Sequence, residues 1–540
     1  MSKNNKNIAG KNTENENVVK LAGRWRAGLL SLLFSRFTVI FVLLLLQAAV
    51  TVFIWFIFEE YLQKISAAAQ TLFGIVIMLI LINSSMDSSA KVTWTLLIGV
   101  LPVFGGLFYL WTRLEIGYRK LRIKVEQTCD LVRESLPANE EELARLRESD
   151  GDSASLALYL REVGNSSVYG HNELKYFPSG ESKFQDMLEE LKKAEKFILL
   201  EYFIIQEGYM WGSILDILIK KAKEGVDVRV MFDGTCYLTK LPQNYKSRLE
   251  KVGIKCQVWA PVNPVLTSSY NYRDHRKILV IDGKTAYNGG VNLADEYINL
   301  NSRFGIWKDS ALRIKGPAVR SYTLMFLQMW LAASRDTSDA RQELLSYAEA
   351  EPDRFEDAEG FVIPYADSPL DGDKVGEMVY MDMIDTAESY VHITSPYLIL
   401  DDELKTSLCF AARRGTDVRL ILPGIPDKKA VYALAKRHYK DLLEAGVRIY
   451  EFTPGFIHAK NFVSDGKKAV VGTINLDYRS LYHHFECATY MSGTAAVAEI
   501  EKDFEHTLGL CREVTPESVK NEKFTVKLTG AVVRLLAPLL

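Results

Sequence analysis

The sequence predicts N-terminal transmembrane helices followed by two α/β domains, each a mixed sheet flanked by helices, related by a pseudo-twofold axis. Three observations predict it. The 540-residue chain opens with three long uncharged apolar stretches. From about residue 184 onward, strand-like and helix-like runs alternate, as they do in sheets covered by helices. That alternating part then repeats itself at a nearly constant offset, the mark of a duplicated unit.

The chain reads in five parts. A basic segment, 1–36, carries Lys3, Lys6, Lys11, Lys20, Arg24, Arg26 and Arg36. The apolar stretches Phe37–Phe58, Ile65–Met86 and Val92–Thr112 fill a membrane anchor at 37–112. Each has about the 20 residues a helix needs to cross a bilayer core. The first is followed by Glu59 and Glu60 rather than a small-residue cleavage site, so it does not read as a removable signal. Basic residues flank both ends of the anchor (Arg113, Arg119, Lys120, Arg122 and Lys124 follow it). Positive-inside reasoning puts both flanks in the cytoplasm, which three full crossings would not allow. The middle stretch, with Gln70 and Asn83-Ser84-Ser85, is the candidate for a re-entrant or interfacial segment. The crossing number stays open, and a cytoplasmic catalytic part is favoured.

Residues 113–183 read as a connecting region, with a charged helical stretch at Glu140–Arg147 and a solvated loop at 148–153. The two repeats occupy 184–350 and 351–540. Ala194-Glu195-Lys-Phe-Ile-Leu-Leu recurs as Ala387-Glu388-Ser-Tyr-Val-His-Ile, Gly225-Val-Asp-Val-Arg recurs as Gly415-Thr-Asp-Val-Arg, and Gly253-Ile-Lys recurs as Gly446-Val-Arg, at offsets of 193, 190 and 193. A pseudo-twofold axis between such halves suits a site to which each half lends one element.

The chemistry lies in the strongest repeat. His275-Arg-Lys277-Ile-Leu-Val-Ile-Asp282 matches His458-Ala-Lys460-Asn-Phe-Val-Ser-Asp465, and Asn292 and Asn475 each follow their histidine by 17 residues. Residues two apart on a strand share a face, so His275 projects with Lys277 and His458 with Lys460. A neutral imidazole can attack phosphorus and a protonated one can supply a proton to the leaving oxygen. Two lysines and two asparagine amides can hold the non-bridging oxygens. Lysine is a poor ligand for divalent ions, so the pattern points to a site with no metal and no cofactor. Asp282 and Asp465 complete the motif and join its candidate catalytic set. Their own setting, Asp-Gly between two strand-like runs, is that of a tight hairpin and favours a turn-shaping role.

These motifs resemble the phospholipase D superfamily. Asn271-Tyr-Arg-Asp-His-Arg-Lys, Asn288-Gly-Gly-Val-Asn-Leu-Ala-Asp-Glu-Tyr, Gly472-Thr-Ile-Asn-Leu-Asp-Tyr-Arg-Ser and Leu101-Pro-Val-Phe-Gly-Gly-Leu-Phe-Tyr-Leu are similar to the bacterial cardiolipin synthases in particular. The resemblance implies phospholipase D-like domains that transfer a phosphatidyl group from one phosphatidylglycerol to another, giving cardiolipin and glycerol. It implies a covalent phosphohistidine on His275, with His458 as acid and then base, and a downstream carboxylate for each histidine at Asp309 and Glu486. With Asn292 and Asn475 these carboxylates make up the expected substrate site. Lys308 stands where relatives often have arginine. The implied partners are phosphatidylglycerol, cardiolipin and the bilayer.

A net charge of −3 with no basic stripe speaks against a nucleic-acid partner. Widely spaced cysteines (Cys129, Cys236, Cys256, Cys409, Cys487, Cys511) offer neither a zinc site nor a disulfide framework. Glu201, Tyr202, Tyr397 and His483-His484 are further candidates to line the site, and His392 and His506 read as structural histidines. The apolar C-terminal run Val526–Leu540 reads as a packing or an interfacial helix. Hydrolysis to phosphatidic acid, transfer to another alcohol and oligomeric state are left open.

Overall fold

The structure is a computed structural model that describes residues 60–84, 86–113, 119–261, 272–301, 303–334 and 345–536, with isolated positions at 19–21, 45, 49, 52, 56 and 342. The first apolar stretch, Phe37–Phe58, lies outside the described residues except at four of those isolated positions. The second forms the helix Glu60–Ile82. Its stretch Lys64–Ile82 is the one helix among the described residues long and apolar enough to cross a membrane. At about 1.5 Å per residue its 19 residues match a bilayer core.

The third stretch, long enough in sequence for a crossing, is not one continuous helix. It folds as two helices, Ser88–Val100 and Pro102–Arg113, of 13 and 12 residues. Pro102 has no N–H to continue the first helix, so the chain breaks at Leu101 and turns back. Gly105 then packs on the first helix so closely that a Cβ would lie 2.9 Å from the Ile98 Cα. Each piece is too short to span a bilayer alone.

The connecting region is more structured than its sequence suggests. Helix Arg119–Ser135 packs on helix Val319–Ala333. The expected loop at 148–153 is instead the junction of helices Glu140–Ser149 and Gly151–Val163, where the Asp150 carboxylate caps the second helix through the Ser153 N–H. Leu143, Leu146, Leu156 and Leu160 join the core of the second half.

The strands, in chain order, are β1 (Glu173–Phe177), β2 (Phe197–Tyr202), β3 (Asp227–Asp233), β4 (Lys255–Trp259), β5 (Arg273–Asp274), β6 (Lys277–Ile281), β7 (Thr285–Gly289), β8 (Ile306–Lys308) and β9 (Ala311–Lys315) in the first half. The second half has β10 (Phe361–Asp367), β11 (Tyr390–Thr394), β12 (Asp417–Pro423), β13 (Arg448–Phe452), β14 (Gly455–Ile457), β15 (Asn461–Ser464), β16 (Lys468–Gly472), β17 (His484–Ser492) and β18 (Cys511–Glu513). The first sheet runs β1-β9-β7-β6-β2-β3-β4 and the second β10-β17-β16-β15-β11-β12-β13-β18. Strand for strand the order is the same, with β18 added at one edge. The first sheet therefore begins at Glu173, upstream of residue 184.

Two short pairings cross between the halves. β14 runs parallel to β8, and β5 runs parallel to the start of β17. They join the strand ends that bear the histidines to those that bear the carboxylates. The central strands are buried on both faces, as their nearly continuous apolar runs require.

Candidate active site

His275 follows β5 and His458 follows β14. The His275 N–H donates to the carbonyl of Phe485, and the His458 N–H donates to that of Lys308. Each of those carbonyls immediately precedes a carboxylate, so the crossing strands bring each histidine to the carboxylate of the opposite half. The Nδ1 of His275 lies 2.8 Å from Glu486 Oε1, and the Nδ1 of His458 lies 2.7 Å from Asp309 Oδ2. Each Nδ1–H directed at a carboxylate leaves Nε2 with its lone pair.

Each carboxylate is seated by its own half. Asp309 Oδ1 accepts from the Ser310 N–H and abuts Gly290, where a Cβ would fall 2.0 Å from that oxygen. At the matching position Thr473 donates its hydroxyl to Glu486 Oε2.

The lysines sit beside their histidines. Lys277 Nζ donates to the His275 carbonyl and Lys460 Nζ to that of His458. All four side chains are buried, with the histidines 6% and 7% exposed. Burial drives their protonation. It pushes His275 well below the ordinary imidazole range against the pull of Glu486, with Lys277 adding to the drop. Burial and then Lys460 bring His458 down to about 4, with Asp309 opposing. Burial lowers Lys277 to about 8 and Lys460 to about 7. Burial would raise the two carboxylates. The facing histidines outweigh it and hold Asp309 and Glu486 below the usual carboxylate range. Lys277 acts electrostatically on both His458 and Lys460, so the two halves contribute to one site.

Asn292 and Asn475 are both buried. Asn292 accepts from the Ile204 N–H and donates to the Tyr297 hydroxyl, whose ring lies 5.4 Å from that of His458. Among the described residues, the Asn475 amide oxygen has no hydrogen-bond partner.

Asp282 and Asp465 are not in this site. They lie at the far ends of the strands, with φ of 54° and 53°, each followed by a glycine of positive φ in a hairpin with three loop residues. The Asp282 carboxylate accepts from the N–H groups of Glu195, Lys196 and Phe197. Asp465 does the same for Glu388, Ser389 and Tyr390. Their place in the candidate catalytic set is corrected on that ground: a carboxylate holding three backbone amides a strand's length away cannot reach the reacting atoms.

Among the other candidates, His484 is buried with its ring 5.3 Å from that of His275 and its Nδ1 3.6 Å from Glu486. Tyr397 donates to Asp427 and packs near Phe456. Tyr202 accepts from Lys183, and Glu201 lies beside Asp274. His392 is tied to Glu501 and stacked on Phe504, His438 is buried in helix Lys429–Ala445, His171 faces Glu356, and His506 is exposed. His275, His484 and Glu486 place ligand-type atoms within 4.8 Å of one another. All six cysteines are free thiols.

The motifs did not reveal Lys183. Fully buried on helix Gly180–Lys192, it donates to the Tyr202 hydroxyl and the Val291 carbonyl, and burial lowers it to about 7 in the field of Asp309 and Lys277. A signal was present, because Lys183, Met187 and Leu191 fall on one helical stripe whose other members are apolar.

The family described as cardiolipin synthase, phospholipase D-like domain, matches residues 187–330 and 380–508. A cardiolipin synthase of Alkalihalophilus pseudofirmus is 34% identical over 476 residues, covering 87% of this chain and 93% of its own. One of Halalkalibacterium halodurans is 32% identical, covering 86% and 91%. An uncharacterized protein of Streptococcus mutans is 53% identical, covering 86% and 99%. A phosphatidylserine synthase structure from Haemophilus influenzae shares the fold at a TM-score of 0.52 and 14% identity, covering 68% of this chain and 93% of its own.

Proposed function

We propose that this chain, which belongs to the cardiolipin synthase family of phospholipase D-like proteins, transfers the phosphatidyl group of one phosphatidylglycerol to the free hydroxyl of a second, giving cardiolipin and glycerol. One observation carries the reading: two buried histidines, one per half, share a site in which each is held by the other half's carboxylate.

The Nε2 of His275, deprotonated in its buried setting, attacks phosphorus while the glycerol oxygen departs with a proton from His458. The second phosphatidylglycerol gives its hydroxyl proton to His458 and attacks the same phosphorus, releasing His275. The incoming phosphodiester supplies the negative charge that burial otherwise denies His458, Lys277 and Lys460, and so favours their protonated forms. The lysines and the amides of Asn292 and Asn475 then hold the phosphoryl oxygens. This scheme gives Asp282 and Asp465 no part in proton transfer and needs no metal, despite the ligand-type cluster at His484.

Water at roughly 55 M competes with the second lipid, so transfer must win by positioning. The helix Lys64–Ile82 supports that reading by holding the site at a bilayer surface. The basic flanks support a multi-pass anchor with the catalytic halves on the cytoplasmic side.

Purified full-length protein in mixed micelles of phosphatidylglycerol should release cardiolipin and glycerol in equal amounts, with phosphatidic acid as a minor product and no loss of rate in EDTA. Dominant phosphatidic acid at every lipid density would make it a hydrolase. A requirement for another alcohol would change the acceptor.

A further inference from the structure

The C-terminal helix Phe524–Leu536 has two faces with different surroundings. On one, Gly530 meets helix Lys429–Ala445 so closely that a Cβ would lie 2.4 Å from the Ala433 carbonyl oxygen. Val533 on the same side packs with Leu434, Tyr478 and Tyr482. On the other face Phe524, Leu528 and Val532 recur every fourth residue, 76%, 52% and 52% exposed. Such spacing aligns them in one stripe, and a stripe of three large apolar side chains is a contact surface rather than a solvated face.

Two further observations say what covers it. Lys520, Lys523 and Arg534 are exposed on the same segment, and Arg437 lies beside Gly530. Of the acids nearby, Glu522 is engaged by Lys436 at 2.8 Å, and Glu517 is exposed. The stripe therefore has a predominantly basic border. Its position is set by the same small cluster: the Tyr478 side chain lies beside Ser89, at the start of the helix that follows the candidate membrane span. Ser89 is seven residues beyond Ile82, where that span ends. The C-terminal helix thus borders the level at which the chain leaves the bilayer core.

We infer that Phe524–Leu536 lies in the interfacial layer of the same bilayer, with Phe524, Leu528 and Val532 among the acyl chains and Lys523 and Arg534 at anionic headgroups. The chain is then attached at two points, one ahead of the two halves and one at the end of the second, and the second attachment restricts how the site can tilt relative to the lipid surface. This inference rests on the membrane attachment and not on the identity of the acceptor.

The test is a full-length Glu189→Cys, Leu528→Cys double variant in vesicles of phosphatidylglycerol and phosphatidylcholine. Glu189 lies on an exposed turn of the first half, so the two thiols share one sidedness. Labelling by a membrane-impermeant maleimide, mapped by peptide mass, should be slower at 528 than at 189 by about tenfold or more. Phe524→Trp should add to the tryptophan quenching that lipids brominated near the top of the acyl chain cause in the parent protein, which already holds eight tryptophans. Equal labelling rates would overturn the inference. So would protection that disappears when the protein is diluted in excess lipid, which would make a second copy the occupant, or an absence of quenching beyond that of the parent protein. None of these outcomes depends on whether the enzyme makes cardiolipin or phosphatidic acid.

Discussion

The two halves share a frame and differ in its lining. Their sheets have the same strand order, their histidines donate to equivalent carbonyls, and their turn aspartates cap equivalent amides. Around the histidines the match ends. Two residues before the carboxylate stands Trp307 in one half and His484 in the other. The ring of His458 is walled by Trp307, Tyr297 and Phe456, whereas that of His275 meets Phe203 and His484. Counting back from Ala194 and Ala387, Lys183 aligns with Gly376, whose missing Cβ makes room for Ile474 and Asp367. Duplication supplied two histidines in one geometry. Divergence of their neighbours lets them take different parts in one reaction.

The largest expected effect tests that division directly. His275→Ala and His458→Ala should each lower transfer from phosphatidylglycerol by about 10³–10⁴-fold. With a donor bearing a nitrophenolate leaving group, which needs no acid, the variants should separate: His458→Ala still forms a phosphatidyl-histidine visible in quenched-enzyme mass spectra, and His275→Ala forms none. An adduct mapped to His458 would reverse the assignment.

Next come the carboxylates, which act across the axis. Glu486→Gln should slow adduct formation and Asp309→Asn should slow adduct breakdown, each by about 10²-fold. Rapid-quench measurements separate the two steps, and exchanged effects would mean that each carboxylate serves its own half.

Lys183 offers a smaller test, present in one half only. Its folded pKa of about 7 lies below the 10.5 of an exposed lysine. Between those values the unfolded chain binds the extra proton, so the stability contribution of this lysine rises with pH across that window and is least favourable below it. Lys183→Met should therefore raise Tm most near pH 6, with the gain shrinking toward pH 10. A gain independent of pH would show that the buried amine is not the cause.

The smallest effect belongs to the turns. Asp282→Ala and Asp465→Ala each remove a carboxylate from three amides and should cost about 1–3 kcal/mol in denaturant unfolding. Turnover per folded molecule should stay within about twofold of wild type, and a thousandfold loss would return the aspartates to the chemistry.

Much of this was legible in the chain. The repeat offsets gave two equivalent sheets because strands that pair in register tolerate little change in spacing. His275, Lys277, His458 and Lys460 were legible because a two-residue strand period puts each pair on one face. The Asp-Gly turns could be read from local backbone preference alone, and the structure keeps that reading over the motif's. Lys183 was legible only as an anomaly on an apolar stripe. The break at Pro102 was also written in the sequence, although hydropathy summed over Val92–Thr112 conceals it.

Local interactions, then, were determined by the sequence itself: which segments are strands, which side chains share a face, where the hairpins turn, and that a long apolar helix precedes the folded part. The tertiary structure decided what depends on contacts between distant segments. It exchanged the carboxylates, giving Glu486 to His275 and Asp309 to His458, through two short parallel pairings between halves. It also seated Lys183 in the field of the site, and left one face of the C-terminal helix packed and the other bare. Pairing of this kind is fixed by the packing of two sheets about an axis, and the spacing along either half carries no record of it.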